Sequence, residues 1–102
     1  MYELFGRHFI AGRELRWVLT VYLFEGRTMS VQALVRALED DGFAVLGRPS
    51  KVVSDALRWE IRRGRVVRLG RGRYAAGRMP KQTLSWRRAR VRELKAVCRS
   101  AA

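Results

Sequence analysis

The chain has 102 residues, which is enough for one domain with a modest core. Its 22 basic and nine acidic side chains give a formal net charge of +13, and such a field attracts polyanions. The single Cys excludes an intramolecular disulfide framework and is typical of a reducing cytosol. No apolar run approaches the roughly 20 residues of a membrane-spanning helix, and no secretory signal pattern opens the chain. We therefore expect a soluble cytoplasmic protein without a membrane partner.

The positive charge is concentrated in the second half of the chain. Residues 1–47 carry five basic and six acidic side chains, whereas residues 48–102 carry 17 basic and three acidic ones. Nineteen of the 22 basic residues are Arg, whose guanidinium forks onto phosphate or guanine, although a GC-rich genome produces the same bias. The position of the basic residues is therefore stronger evidence than their Arg content. It predicts that the part of the chain after residue 48 contacts nucleic acid.

The first 41 residues predict an N-terminal extension, two helices and a short strand. Residues 1–10 hold several large apolar side chains and should dock, either across the first helix or against another subunit. Gly12 to Glu25 predicts that helix, and Thr28-Met29 a very short strand. Ser30 is a good cap for a second helix that ends near Asp41. The apolar stripe of the first helix consists of Leu15, Val18, Leu19, Tyr22 and Leu23.

A link and a third helix follow. The link runs from Phe43 to Pro49, and we expect Phe43, Val45 and Leu46 to anchor it to the core. Ser50 is the predicted N-cap of a helix that continues to Arg63, and Gly64 is a natural stop. Its apolar positions, at helical spacing, are Val53, Leu57 and Ile61.

The residues after Gly64 predict a hairpin and then a long last helix. Arg65 to Leu69 is rich in strand-forming residues, Gly70-Arg71-Gly72 is a turn, and Arg73 to Ala75 returns. Lys81 to about Arg99 predicts the last helix. Its apolar seam consists of Leu84, Val91, Leu94 and Cys98, with Cys98 read as a small helix-face hydrophobe. Its predicted basic surface consists of Arg87, Arg88, Arg90, Arg92 and Lys95.

The segment Arg13 to Gly77 resembles a winged helix-turn-helix domain, as found in bacterial transcription regulators and antitoxin DNA-binding domains. The motifs that carry the resemblance are Ala56-Leu57, Ile61, Gly64, Val66-Val67 and Gly70-Arg71-Gly72-Arg73-Tyr74. It implies an α+β fold, mainly α, in which residues 12–77 form the core, 1–11 an extension and 78–102 an additional basic helix. Glu60 departs from the pattern, because such domains place an apolar residue there, and we expect it to pair with a neighbouring Arg.

The resemblance implies binding to double-stranded DNA, for transcription regulation or as a nucleoid-associated protein. The third helix would enter the major groove, and the Arg71 tip of the wing would lie at the minor groove. The residues expected to contact DNA are Ser50, Lys51, Ser54, Asp55, Arg58, Arg62, Arg63, Arg68, Arg71 and Arg73.

Other functional classes have less support in the sequence. The chain lacks a Walker-type phosphate loop, a catalytic constellation and spacing for a metal site, so we expect neither an enzyme nor a cofactor. An RNA-binding module that uses the basic last helix is the main alternative, and a protein-interaction module is a third. We expect Trp17 in the core. For Trp59 and Trp86 the sequence allows either packing against the protein or stacking on nucleobases.

The amount of apolar surface predicts a homodimer through the first and last helices. Trp17, Val21 and Phe24 lie off the main stripe of the first helix, and a small core has little room for them. A two-fold dimer would also present the third helix of each protomer to successive half-sites on DNA. A monomer completed by the N-terminal segment and the last helix is the alternative.

Overall fold

Four helices and two small sheets make up the part of the chain that our computed structural model describes, which is the backbone of residues 8–101 and the side chains of residues 8–98. The predicted α+β class, mainly α, is confirmed. In chain order the elements are β1 (His8–Phe9), α1 (Gly12–Gly26), β2 (Thr28–Ser30), α2 (Val31–Asp40), β3 (Phe43–Ala44), α3 (Pro49–Arg62), β4 (Val66–Gly70), β5 (Arg73–Ala76) and α4 (Lys81–Ala101).

The core is built around α1, which is covered on several sides. Every residue from Val18 to Leu23 is buried, because α3, α4 and the sheet all pack against this helix. The predicted stripe is confirmed, and Val21 outside it is buried as well. The broad apolar arc of α1 therefore finds its cover within the same chain.

A three-stranded antiparallel sheet, in the order β2-β5-β4, closes one side of the core. The short predicted strand before α2 is β2, and it pairs Met29 with Tyr74. Ser30 ends this strand and caps α2 as predicted, because its Oγ accepts a hydrogen bond from the Ala33 N–H at 3.0 Å. Val66 and Tyr74 are buried on the inner face of the hairpin.

Residues 8–10, at the end of the N-terminal segment, dock on their own chain through a two-stranded parallel sheet that the sequence did not predict. His8 pairs with Phe43, and Phe9 pairs with Ala44. The Ile10 N–H donates to the Ala44 carbonyl at 2.9 Å, and the Ile10 side chain is buried. Tyr2, Leu4 and Phe5, which also motivated the docking prediction, lie outside the described residues.

Two predictions around the link were wrong. Ser50 does not cap α3, since the helix starts at Pro49 and its N-cap is Arg48, with no side-chain cap hydrogen bond. Pro suits the first helical position, because the missing N–H would have no intrahelical partner there. Leu46 does not anchor the link and is 76% exposed, because it lies in the bend before Gly47, which has a φ of 101°. Phe43 is buried as predicted.

The last helix packs its seam against the molecule itself. Val91, Leu94 and Cys98 are buried, and α1 is the main neighbour of α4. Arg87 was predicted on the surface and is instead buried at 7% exposure, because Glu60 pairs with it in the core. Much of the apolar surface that suggested a dimer is thus covered by the chain's own helices, and the dimer stays a prediction. Among the described residues, none of the helices is long and apolar enough to cross a membrane.

Candidate nucleic-acid interface

A groove of about 620 Å³ opens between α3, the β4–β5 hairpin and the start of α2, and we call it the basic groove. Five of the ten predicted DNA-contacting residues line it, namely Ser50, Ser54, Arg58, Arg68 and Arg71. Gln32 of α2 and Tyr74 line it as well. Sequence reasoning missed Gln32, because nothing in α2 itself indicates that its first turn faces the hairpin.

The register of the hairpin decides which arginines enter the groove. Arg68 pairs with Tyr74, so the two side chains lie on the same face of the sheet. Tyr74 is buried in the core on this face, and Arg68 extends the face beyond the core into the groove. Arg73 precedes Tyr74 in β5 and therefore lies on the opposite face, exposed and away from the groove.

The hairpin tip is fixed to the first turn of α2. Gly72 adopts a φ of 68°, a conformation that glycine reaches without a steric cost. Its carbonyl accepts a hydrogen bond from the Val31 N–H at 2.9 Å. Because Arg71 precedes this anchor, its backbone has a defined place at the mouth of the groove.

The exposed face of α3 carries two cations held by one carboxylate. Lys51 Nζ donates to Asp55 Oδ2 at 3.1 Å, and Arg58 Nη2 lies 3.9 Å from Asp55 Oδ1. All three side chains are about half exposed or more, so these pairs add little to stability. Their main effect is to hold both cations beside the groove while Asp55 reduces the local charge.

The predicted residues at the end of α3 lie beside the groove. Arg62 lines a hollow together with Asp55, Arg58 and Trp59. The Arg63 guanidinium lies over the Trp59 ring, 4.7 Å from its centroid. The groove and the Trp59 hollow share Arg58, so the two surfaces are continuous.

A buried charge network fixes the base of the hairpin against the helices. Glu60 Oε1 accepts hydrogen bonds from Arg65 Nε at 2.6 Å and from Arg87 Nη1 at 2.9 Å, and Arg16 Nε lies 3.5 Å from Oε2. Arg87 Nη1 also donates to the Thr20 hydroxyl. The predicted pairing of Glu60 with a neighbouring Arg is confirmed by Arg65. The whole network joins α1, α3, α4 and the residue that opens the hairpin.

Glu60 is ionised in this setting. Burial raises the pKa of its carboxyl, but the hydrogen bond from Arg65 and the charge of Arg87 outweigh this effect and hold the pKa below its usual value. Burial lowers the pKa of Arg87 against the opposing effect of Glu60, yet Arg starts so high that it stays charged at neutral pH. The network therefore consists of one carboxylate and three guanidinium groups.

No protein-family model, curated protein or solved structure matches this chain. The groove, the charges around it and the sequence motifs are the features that bear on function. The absence of enzymatic activity, of a cofactor and of a metal, expected from the sequence, stays a prediction.

Proposed function

We propose that this protein binds double-stranded DNA as a winged helix-turn-helix domain, in transcription regulation or as a nucleoid-associated factor. The observation that carries the proposal is the basic groove, in which side chains from α3 and from the hairpin converge on one surface. Such a groove suits a duplex that offers a wide major groove to the helix and an adjacent minor groove to the hairpin.

In this arrangement each part of the surface has its own task. Ser54 and Arg58 on the groove side of α3 reach base edges, and Lys51 and Asp55 lie beside them. Arg62 and Arg68 contact phosphates, which position the protein without reading sequence. Arg71 at the hairpin tip enters the minor groove, where its width and A·T content are read. Arg73, on the outer face of the sheet, contributes to the field around the flanking backbone.

The charge distribution supports a nucleic acid as the partner. The segment that contains α3, the hairpin and α4 has a net charge of +14, from 17 basic and three acidic side chains. A field of this sign raises the rate of encounter with a polyanion and supplies most of the non-specific affinity. The nearly neutral first half supplies most of the core.

RNA binding through α4, the alternative from the sequence, has less support. Of its predicted basic surface, Arg87 is buried, and Arg88, Arg90 and Lys95 lie 3.5, 2.6 and 3.5 Å from the carboxylates of Glu25, Glu93 and Asp41. These pairs reduce the positive charge that the helix presents. A protein-interaction module is the third alternative, and it predicts no dependence of DNA binding on salt.

Competition between nucleic acids at matched salt tests the proposal. We expect the protein to prefer a DNA duplex to a structured RNA of equal length in fluorescence anisotropy. Replacing both Arg68 and Arg71 by Ala should remove most of the duplex affinity. Arg92→Ala, on the exposed side of α4, is the matched control and should change it little. A preference for RNA that Arg92→Ala abolishes would overturn the proposal in favour of the α4 alternative.

A further inference from the structure

The three tryptophans lie along one arginine-rich surface outside the basic groove. Trp59 of α3 is 43% exposed and Trp86 of α4 is 51% exposed, which is unusual for side chains of this size. Consecutive residues of α1 connect them, because Arg16 lies over the Trp59 ring at 4.9 Å and Trp17 contacts Trp86. We call this surface the tryptophan strip; it consists of Trp59, Arg63, Arg16, Trp17, Trp86 and Arg90.

A guanidinium group lies against each indole ring of the strip. Arg63 and Arg16 both lie within 5 Å of the Trp59 centroid. Arg90 lies 5.7 Å from the Trp17 centroid and 5.9 Å from that of Trp86. Indole and guanidinium planes both stack on nucleobases, and the guanidinium charge attracts the phosphates between them. A surface that combines the two groups therefore fits a single strand with unpaired bases.

The Trp17–Trp86 contact leaves much of the Trp86 ring available. The two rings meet at an interplanar angle of 87° with centroids 4.8 Å apart. A perpendicular contact joins an edge of one ring to a face of the other and does not stack the two rings flat. Trp17 thus supports Trp86, and half of the Trp86 surface stays exposed to solvent.

The charges around the strip favour its Trp59 end. Arg90 pairs with Glu93 at 2.6 Å, and Arg88 lies 3.5 Å from Glu25, so acidic groups partly neutralise the Trp86 end. At the Trp59 end Arg16 lies 3.5 Å from Glu60, but among the side chains of residues 8–98 no carboxylate forms an ion pair with Arg62 or Arg63. The unpaired Arg62 and Arg63 therefore favour phosphates at the Trp59 end, whereas the more exposed Trp86 is the more accessible stacking position.

From this surface we infer that the protein also binds single-stranded DNA, with unpaired bases stacked at Trp59 and Trp86 and phosphates at Arg62 and Arg63. The choice of DNA over RNA rests on the proposed function, because Arg58 lines both the basic groove and the hollow beside Trp59. A strand that leaves a duplex in the groove meets Trp59 next. An apolar protein partner suits the strip poorly, since it would bury the guanidinium groups that lie over the rings without the phosphates that compensate their charge.

The test compares a 15-nucleotide oligo(dT) with a 15-base-pair duplex, using the full chain at one salt concentration. Trp59→Ala combined with Trp86→Ala should weaken oligo(dT) binding by about 25-fold, which corresponds to about fivefold for each stacked base. The affinity for the duplex should change by less than about threefold. Replacing both tryptophans by Phe should restore part of the oligo(dT) affinity, because a phenyl ring still stacks. Binding of oligo(dT) should also quench the tryptophan fluorescence of the native chain.

Control variants separate this inference from the proposed function. Arg71 lies in the basic groove, so Arg71→Ala should weaken duplex binding more than oligo(dT) binding. Arg63→Ala should weaken oligo(dT) binding, and as an exposed residue it tests the strip even if the double Trp variant fails to fold. Unchanged oligo(dT) affinity in folded Trp or Arg63 variants would overturn the inference, as would a clear preference for oligo(U) over oligo(dT). Binding of oligo(dT) with no binding of the duplex would instead overturn the basic-groove proposal and keep the strip.

Discussion

Glu60 of α3 and Arg87 of α4 form a buried ion pair, with 2.9 Å between Glu60 Oε1 and Arg87 Nη1. Their side chains are 1% and 8% exposed, and 27 residues of sequence separate them. A charge buried in this way is costly unless its partner is present. The helix α4 therefore has to pack against α3 in the position that brings Arg87 to Glu60. The last helix is therefore part of the core that supports the basic groove.

Glu60→Gln should destabilise the protein strongly. The substitution removes the charge that compensates Arg87, Arg65 and Arg16, and breaking a buried pair in this way typically costs about 3 to 5 kcal/mol. Urea denaturation at pH 7 measures the free energy of unfolding. Glu93→Gln is the matched control, because its pair with Arg90 is exposed and should contribute less than about 1 kcal/mol. Equal stability of the two variants would contradict a structural role for the Glu60 network.

The same network predicts how stability depends on pH. The pKa of Glu60 in the folded protein lies below the value of about 4.3 expected for an unfolded chain. Its carboxylate therefore stabilises the fold fully above that unfolded value, and this contribution is lost as the pH falls through the folded pKa. The difference in unfolding free energy between the native chain and Glu60→Gln should shrink as the pH is lowered from about 5 through the acid range. A constant difference over this range would show that ionisation of Glu60 is not the cause.

The sequence predicted most elements of the fold, because helical periodicity and turn residues are local signals. The Ser30 cap, the stop at Gly64 and the hairpin around Gly70-Arg71-Gly72 all belong to this class. Glu60 was recognised as an exception, and only its pairing with a neighbouring Arg could be inferred.

The features that sequence could not predict depend on residues far apart in the chain. Arg87 looked like a surface residue, because its partner is 27 positions away and the pattern of α4 does not show it. The pairing of β1 with β3 involves two-residue strands that are too short to produce an alternation. For the groove, the sequence supplied the candidate residues, but only the sheet register distinguishes Arg68 from Arg73.

Gly77 should be intolerant of substitution. A Cβ there would collide with the Gly64 carbonyl oxygen and lie 2.9 Å from the Arg65 carbonyl carbon, where α3 and the hairpin exit meet. The Gly77 N–H also donates to the Arg65 carbonyl at 2.8 Å, so the backbone cannot move away without breaking this bond. We expect Gly77→Ala to cost about 1 to 3 kcal/mol in thermal or urea unfolding.

Gly70→Ala provides the comparison within the same hairpin. A Cβ at Gly70 meets nothing within 4 Å, so this variant should stay within about 0.5 kcal/mol of the native chain. Equal stability of Gly77→Ala and Gly70→Ala would contradict the close contact between the hairpin exit and the end of α3.

Arg71 and Arg58 should affect DNA specificity in different ways. Arg71→Ala should remove a preference between A·T-rich and G·C-rich flanks, because the minor groove distinguishes little else. Arg58→Ala should relax discrimination at one or two base pairs, because Arg58 lies on the groove side of α3. Selection from a random DNA library measures both effects. A uniform loss of affinity over all sequences in both variants would indicate a non-specific, chromosome-associated binder.

The homodimer is tested by sedimentation at micromolar concentration. We expect a species of twice the chain mass of 11.8 kDa, although Val21, Val91 and Leu94 are buried within the chain and leave less apolar surface for an interface of α1 and α4. A single species at the mass of one chain would exclude the dimer and imply that one groove binds one site.

The salt dependence of duplex binding tests the central claim most directly. If about six to eight basic groups contact phosphates, log K should fall with log salt at a slope of roughly −5 to −7. Removing Arg68 and Arg71 together should make the slope shallower by about 2, whereas Arg92→Ala should leave it unchanged. A native slope shallower than about −2, or the same slope in the groove variant and the native chain, would contradict DNA binding through the basic groove.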